Sequence, residues 1–143
     1  MIRNRLTLTL AGLAILLPSL CWSALPDLAV HVINAKTASG TIEVSLFNSS
    51  ESFLKQVHLQ QAGTADENGE LTVVFAALDE GEYAVVVVHD ENGNEKYDSG
   101  ILGFGSEGLG YSNNVRPWFS RPEFEEVKFS VESESREIEI SLD

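Results

Sequence analysis

The stretch Tyr83-Ala84-Val85-Val86-Val87-Val88-His89 decides the fold, because it is apolar at almost every consecutive position. Four successive β-branched valines lose rotamer freedom in a helix and pack well on a pleated surface, so the stretch predicts a β-strand. Apolar residues occur at both the odd and the even positions of this strand, so they point to both of its faces. The pattern therefore predicts a central strand with one face on the core and the other covered by a long loop.

Six further segments show the period-two alternation or the short apolar runs that are typical of strands. No segment carries a helical stripe, apart from a turn predicted near residues 52–56. Together with the valine strand, these segments predict an all-β fold, an antiparallel Ig-like or prealbumin-like sandwich of about seven strands with one long structured loop. The six segments are residues 28–32, 42–46, 57–60, 71–78, 127–131 and 138–142.

The composition of the 143-residue chain limits its function. Nine Lys and Arg residues stand against 22 Asp and Glu residues, a formal net charge of −13. This charge repels phosphate backbones, which argues against nucleic-acid binding. Apolar residues make up 43% and charged residues 22%, values of an ordinary globular protein, so a packed core is expected.

The N-terminus has the order of a secretory signal peptide. Arg3 and Arg5 precede an uncharged run over residues 6–17, and small residues follow near Ser23. The run is shorter than the roughly 20 residues needed to cross a bilayer, although an uncleaved anchor remains the alternative. Cleavage after Ser23 is favoured over cleavage after Ala24, which would place a bulky Trp at position −3. We therefore predict a signal peptide at 1–23, a single domain at 24–143, a periplasmic or secreted location, and no membrane insertion of the mature chain.

Cys21 is the chain's one cysteine, and it lies inside the predicted signal peptide. Leu20 directly before it and Pro18 three residues before it match a lipidation context poorly. The mature chain is thus expected to have no disulfide and no thiolate chemistry. Cleavage leaves seven basic against all 22 acidic residues, a net charge of −15, and divalent cations are the natural counterions.

Residues 90–123 form a connection that is unusually long for a compact domain, and such loops are either functional or disordered. The many apolar groups in this loop favour order, with the loop folded as a lid over one sheet face. A sugar-stacking platform is the alternative. The apolar residues are Tyr97, Ile101, Leu102, Phe104, Leu109, Tyr111, Trp118 and Phe119.

The beginning of this loop has the ligand order of a calcium site. With Asp90 as position 1, oxygen-bearing side chains fall at positions 1, 3, 5 and 9, and a backbone carbonyl falls at position 7. Hard oxygen ligands suit a cation that tolerates irregular geometry. The predicted ligands are the side chains of Asp90, Asn92, Asn94 and Asp98 and the carbonyl of Lys96.

The loop is not an EF-hand, because Glu95 and Ile101 stand where an EF-hand has Gly at position 6 and a bidentate Glu at position 12. The missing ligand is assigned to Glu107, the nearest downstream carboxylate that the loop can fold back to present. The alternative interpretation is an Asn-Gly turn with solvated acidic residues.

Several linked motifs resemble one bacterial family over most of the mature chain. The resemblance is to the domain of unknown function 2141, and it implies a secreted β-sandwich without implying any chemistry. The motifs are Phe75-x-x-Leu78-x-x-Gly81-x-Tyr83-Ala84, His89-Asp90-x-Asn92-x-Asn94-x-x-x-Asp98, Gly103-x-x-x-Glu107-x-x-Gly110-x-Ser112-Asn113-Asn114 and Arg121-Pro122-x-Phe124-x-x-Val127-x-Phe129.

The sequence offers little for catalysis. His31 and His58 fall on polar phases of strands, and His89 is more simply a hydrogen-bonded structural residue than a general base. There is no Gly-x-Ser-x-Gly elbow and no spacing that favours zinc.

We therefore expect an exported, non-catalytic module that is stabilised by calcium, with a binding or envelope-associated role and a glycan or an envelope protein as partner. The alternative is a carbohydrate-binding accessory or an unrecognised hydrolase that uses the 90–123 loop.

Overall fold

The computed structural model of the protein describes residues 24–93, 107–117 and 120–143. The predicted signal peptide at residues 1–23 lies outside these residues. The described chain forms eight strands, a 3₁₀ turn at Ser112–Asn114 and a one-turn helix α1 at Phe124–Val127. The strands are β1 (Leu28–Ile33), β2 (Thr41–Phe47), β3 (Leu59–Gly63), β4 (Leu71–Phe75), β5 (Gly81–Asp90), β6 (Gly108–Tyr111), β7 (Phe129–Val131) and β8 (Arg136–Ser141).

The strands form two sheets packed face to face. One sheet has the order β4-β1-β8, and the other has the order β3-β2-β5-β6, with β7 also paired to β5. Every pairing is antiparallel except that of β1 with β8, which is parallel. The predicted all-β sandwich is confirmed, with eight described strands where about seven were expected. In the described part of the chain, no helix has the length and apolar character to cross a membrane.

Strand β5 is central, as its valine run predicts. It pairs with β2 along one side, and with β6 and β7 along the other. Val85 and Val87 face the core between the sheets, whereas Val86 packs on the outer face. Both faces are therefore covered, which explains why the strand is apolar at consecutive positions.

An apolar cluster covers the outer face of β5. Leu109 and Tyr111 belong to it, but they lie on strand β6 of the same sheet, so the predicted single connection over residues 90–123 contains a strand and these two residues do not confirm the lid. The six other apolar residues named for that loop lie outside the described residues. The members of the cluster come from β2, β5 and β6, from the β2–β3 connection, from the residue after the 3₁₀ turn and from α1. They are Phe47, Phe53, Leu54, Ala84, Val86, Val88, Leu109, Tyr111, Val115, Phe124 and Val127.

The prediction for residues 57–60 was wrong in its burial pattern. The strand here begins at Leu59, and Val57 and Leu59 are 42% and 40% exposed instead of lying on a dry face. The reason is that β3 lies at the edge of its sheet, so no strand of the opposite sheet covers it fully. The predicted turn near residues 52–56 is confirmed, since the backbone N–H groups of Lys55 and Gln56 both donate to the carbonyl of Ser52.

Helix α1 is an element that the sequence pattern did not predict. Its apolar residues Phe124 and Val127 are spaced three apart and both are buried. The helix begins with a capping box, in which the Glu123 and Glu126 side chains each accept a hydrogen bond from the other residue's backbone N–H. One turn is too short to produce a helical period in the sequence.

Candidate metal centre at the end of strand β5

Two buried carboxylates stand at neighbouring positions where the β5–β6 ladder ends. Asp90 is the last residue of β5, and Glu107 directly precedes β6. The β5–β6 register ends with His89 paired to Gly108, so Asp90 and Glu107 are the residues just beyond the last pair of the ladder. The two residues are only 6% and 5% exposed. The first predicted ligand and the predicted downstream carboxylate are therefore both buried at the same end of the β5–β6 pair.

The burial of two carboxylates at one end of the β5–β6 pair has an electrostatic consequence. Both residues have partners within the fold. A buried carboxylate is costly unless hydrogen bonds or an opposite charge compensate it. Carboxylate oxygens are also ligands that a hard cation such as calcium accepts.

The chain turns back on itself immediately after Asp90. The Asp90 Oδ1 atom accepts a hydrogen bond of 2.8 Å from the backbone N–H of Gly93, and Gly93 adopts a φ of 74°. This contact makes an Asx-type turn that carries Asn92 on the protein surface. The Asn-Gly turn of the alternative interpretation is thus real. A turn of this kind is also compatible with a loop that binds a cation through Asp90.

The six predicted ligands divide equally between described and other residues. Asp90, Asn92 and Glu107 lie in the described part of the chain, whereas Asn94, Lys96 and Asp98 lie outside it. Over residues 24–93, 107–117 and 120–143, no three His, Cys, Asp or Glu side chains are grouped closely enough to hold a metal ion. Asp90 and Glu107 are thus two described carboxylates, and a calcium site here would require further ligands from residues 94–98.

His89 lies beside this centre, on the opposite face of β5. It is 1% exposed, and its Nε2–H donates a hydrogen bond of 2.8 Å to the Ser39 carbonyl in the β1–β2 connection. Its Nδ1 atom lies 3.9 Å from Glu91 Oε1. The geometry supports the predicted structural role, because His89 ties the β1–β2 connection to the end of β5.

Of the other two histidines, His31 lies on the partly exposed side of β1, and His58 is exposed directly before β3. The His31 Nε2 atom is 3.3 Å from Glu70 Oε2, and its side chain is 28% exposed. His58 is exposed, with its Nδ1 atom 3.2 Å from the Asn48 side-chain nitrogen. Neither contact joins the end of β5.

The motif Ser112-Asn113-Asn114 forms a junction around one buried residue, Ser112, and the sequence did not reveal this role. The fully buried Ser112 hydroxyl accepts a hydrogen bond from the Val85 N–H at 3.0 Å and donates to the Val127 carbonyl at 2.5 Å. It thereby joins β5 to α1. The sequence signal for such a junction is weak, because a serine beside two asparagines is also typical of a surface turn.

The two asparagines extend the same junction. The Asn113 side chain donates to the Lys128 carbonyl at 2.9 Å. The Asn114 side chain donates to the Glu139 carbonyl at 3.2 Å and accepts from the Ser141 N–H at 2.8 Å, which anchors β8. Both residues have left-handed backbones, with φ of 62° and 51°, which asparagine tolerates better than most residues. The motif therefore serves the fold.

A shallow cleft of about 500 Å³ lies between the turn after β2 and the beginning of α1. Its aromatic residues, Phe53 and Phe124, are buried and meet edge to face with ring centroids 5.9 Å apart. They offer no flat exposed face for stacking on a sugar. The cleft is lined by Ser50, Phe53, Leu54, Lys55, Arg121, Pro122, Glu123, Phe124 and Glu125.

The fold and the site define a class of protein: a small two-sheet β-sandwich with a long excursion after its central strand and a buried carboxylate at each end of that excursion. Residues 30–139 match the model of one family, domain of unknown function 2141 (DUF2141), described as an uncharacterized protein conserved in bacteria. The chain belongs to this family, which confirms the resemblance seen in its motifs. Searches of curated proteins and of solved structures found no significant match.

Proposed function

We propose that the protein is an exported, non-catalytic β-sandwich module whose loop after β5 binds one calcium ion, and that it has a binding or envelope-associated role. The observation that carries this proposal is the burial of Asp90 and Glu107 at the same end of the β5–β6 ladder. A surface turn with solvated acidic residues would leave both carboxylates in water. Burial of two like charges is more easily understood when a cation accompanies them.

The chemistry of the proposed ligands is that of a calcium site. Asp90 and Glu107 supply carboxylate oxygens, and Asn92, Asn94, Asp98 and the Lys96 carbonyl supply the remaining oxygens. Calcium accepts such mixed ligands in irregular geometry. Because position 12 has no bidentate Glu, we expect a dissociation constant of about 10⁻⁴ to 10⁻³ M, the range of extracellular modules.

Export is the second part of the proposal, and it is supported by the order of residues 1–23. We expect protein recovered from the periplasm or the medium to have lost its first 23 or 24 residues, because signal peptidase cleaves after small residues. Intact-mass spectrometry of that fraction measures this loss directly. A membrane-bound species that retains Met1 would instead establish an uncleaved anchor.

Calcium is expected to raise the melting temperature. At a free concentration about ten times the dissociation constant, binding to the folded state alone adds roughly RT ln 11, or about 1.4 kcal/mol. Asp90→Asn and Asp98→Asn should each abolish most of this gain. Asp90→Asn is a sharp test, because an asparagine retains the Oδ1 atom that accepts the Gly93 N–H while removing the charge. Thermal melts with calcium and with chelator provide the measurement.

Asp79→Asn is the matched control for these variants. Asp79 is exposed, and its substitution removes the same charge from a residue outside the proposed ligand set. This variant should retain the full calcium-dependent rise. If calorimetry at millimolar calcium detects no binding and the wild-type melt is the same in chelator, the loop is an Asn-Gly turn without a metal.

The second candidate function, a carbohydrate-binding accessory or a hydrolase, depends on the aromatic residues of the 90–123 loop. Of these, Tyr111 is buried in the outer-face cluster, and Tyr97, Phe104, Trp118 and Phe119 lie outside the described residues. A glycan array incubated with and without chelator distinguishes a calcium-dependent glycan-binding module from a module in which calcium is only structural.

A further inference from the structure

We propose that two copies of the protein form a symmetric dimer by antiparallel pairing of β3 with β3. Strand β3 is the outer strand of its sheet and pairs only with β2 in the described structure. Residues 59–62 are exposed, and Gly63 is partly so. An open edge strand presents unpaired backbone N–H and C=O groups to any strand that can align with it.

The open edge belongs to one side of the sandwich. Strands β3 and β4 are the outer strands of the two sheets, and they approach each other where Gly63 meets the Leu71 side chain. The described chain has four exposed large hydrophobic residues, and three of them lie on or beside these two strands: Val57, Leu59 and Val74, at 42%, 40% and 48% exposure. Leu59 pairs with Leu46 of β2, so its side chain lies on the same face of the sheet as the buried side chains of β2. Its side chain therefore lies at the open side between the sheets.

The other side of the sandwich is closed and charged. The backbone N–H of Asp143 donates to the Leu109 carbonyl, which joins the end of the chain to β6. A Cβ at Gly110 would lie 2.6 Å from the Ile140 side chain, so β6 and β8 are in close contact. Strand β8 also carries Arg136, Glu137 and Glu139. Such contacts and charges protect an edge from pairing with another chain.

The charge pattern identifies the partner as a second copy. Residues 56–65 and 71–78 contain no charged side chain, although the chain has 22 acidic residues. In a two-fold antiparallel pairing, residue i of one copy meets residue j of the other and j meets i, and only a residue on the axis meets its own copy. A strand without charged side chains therefore sets no like charges opposite each other in any register. An acidic chain can meet a second copy more easily at this uncharged strand than at its acidic surface. The Gln60 Nε2 atom already donates to Glu43 Oε2 of β2 at 3.2 Å, whereas the Gln61 amide can donate to and accept from its partner across the axis.

Sedimentation and amide hydrogen exchange test the proposal on protein expressed from the full-length sequence. We expect a reversible monomer–dimer equilibrium at micromolar to submillimolar concentrations. We also expect the β3 amides to gain protection as the protein concentration rises. The double variant Leu59→Glu and Gln61→Glu places like charges across the axis and should weaken dimerisation at least about tenfold. Both residues are exposed, so circular dichroism of the variant should be unchanged.

Ser133→Glu is the matched control, because it adds a negative charge at an exposed turn between β7 and β8. It should leave the dimer intact. A protein that stays monomeric at all concentrations, a dimer that resists the double variant, or protection gained away from β3 would each overturn the proposal. Should the variant fail to fold, the concentration dependence of exchange in the wild-type protein still decides between these outcomes. The proposal is independent of calcium binding.

Discussion

Ser112→Ala is expected to lower the free energy of unfolding by about 3 kcal/mol, because it leaves two buried backbone groups without their partner. The Ser112 hydroxyl accepts the Val85 N–H and donates to the Val127 carbonyl, and the residue is fully buried. Alanine can neither accept nor donate, and each stranded group costs about 1–3 kcal/mol. Urea unfolding of the wild type and the variant measures the difference.

Ser130→Ala is the control for this prediction. Ser130 is exposed on β7, and removal of its hydroxyl should change stability by less than about 0.5 kcal/mol. A Ser112→Ala variant that unfolds within about 1 kcal/mol of the wild type would show that water replaces the hydroxyl, and that the junction is not the tie between β5 and α1 that the geometry indicates.

The strands that the sequence predicted best are those whose burial is determined by a neighbouring sheet. Strands β1 and β2 alternate between buried and partly exposed residues, and β5 is apolar at both phases because an apolar cluster covers its outer face. The spacing of apolar residues along the sequence reflects these environments directly. It cannot record which strands pair, and the parallel pairing of β1 with β8 joins residues more than a hundred positions apart.

Strand β6 escaped prediction for a physical reason. Its sequence Gly108-Leu109-Gly110-Tyr111 has two glycines where a strand pattern would have apolar side chains. Gly110 lacks a side chain because the space is filled by Ile140 of β8, and Gly108 lies against His89 and Leu142. The close approach of β8 to β6 leaves room only for glycine at these positions. The sequence therefore lacks the alternating apolar side chains from which a strand is predicted.

Some residues of the candidate site can also be recognised from the sequence, and others only from the fold. Asp90 and its ligand-like spacing are visible in the sequence, because ligands supplied by one loop follow one another along the chain. Glu107 entered the prediction only as the nearest downstream carboxylate, and its position at the same end of the β5–β6 ladder as Asp90 follows from the strand register. Ser112 could not be found from spacing, since its partners Val85 and Val127 are backbone groups 27 and 15 residues away.

Gly40→Ala is expected to have the largest effect of the substitutions considered, at least about 3 kcal/mol of lost stability. Gly40 has a φ of 83°, a left-handed conformation that disfavours side chains. A Cβ there would lie 2.2 Å from the Asp90 carbonyl oxygen and 2.8 Å from the Glu91 Cα. Both are backbone atoms in or beside the β2–β5 ladder, so neither can rotate away as a side chain would. Thermal or urea unfolding measures the loss.

Gly93→Ala separates the two causes of that loss. Gly93 has a similar φ of 74°, but a Cβ there would meet nothing within 4 Å. This control therefore carries only the backbone cost, about 1 kcal/mol. The excess cost of Gly40→Ala measures how firmly the β1–β2 connection holds the end of β5. Because the contact is with Asp90 itself, any Gly40→Ala protein that folds should also lose the calcium-dependent rise in melting temperature. Equal costs at the two glycines would show that the backbone near Asp90 yields easily, which contradicts a rigid platform for the first ligand.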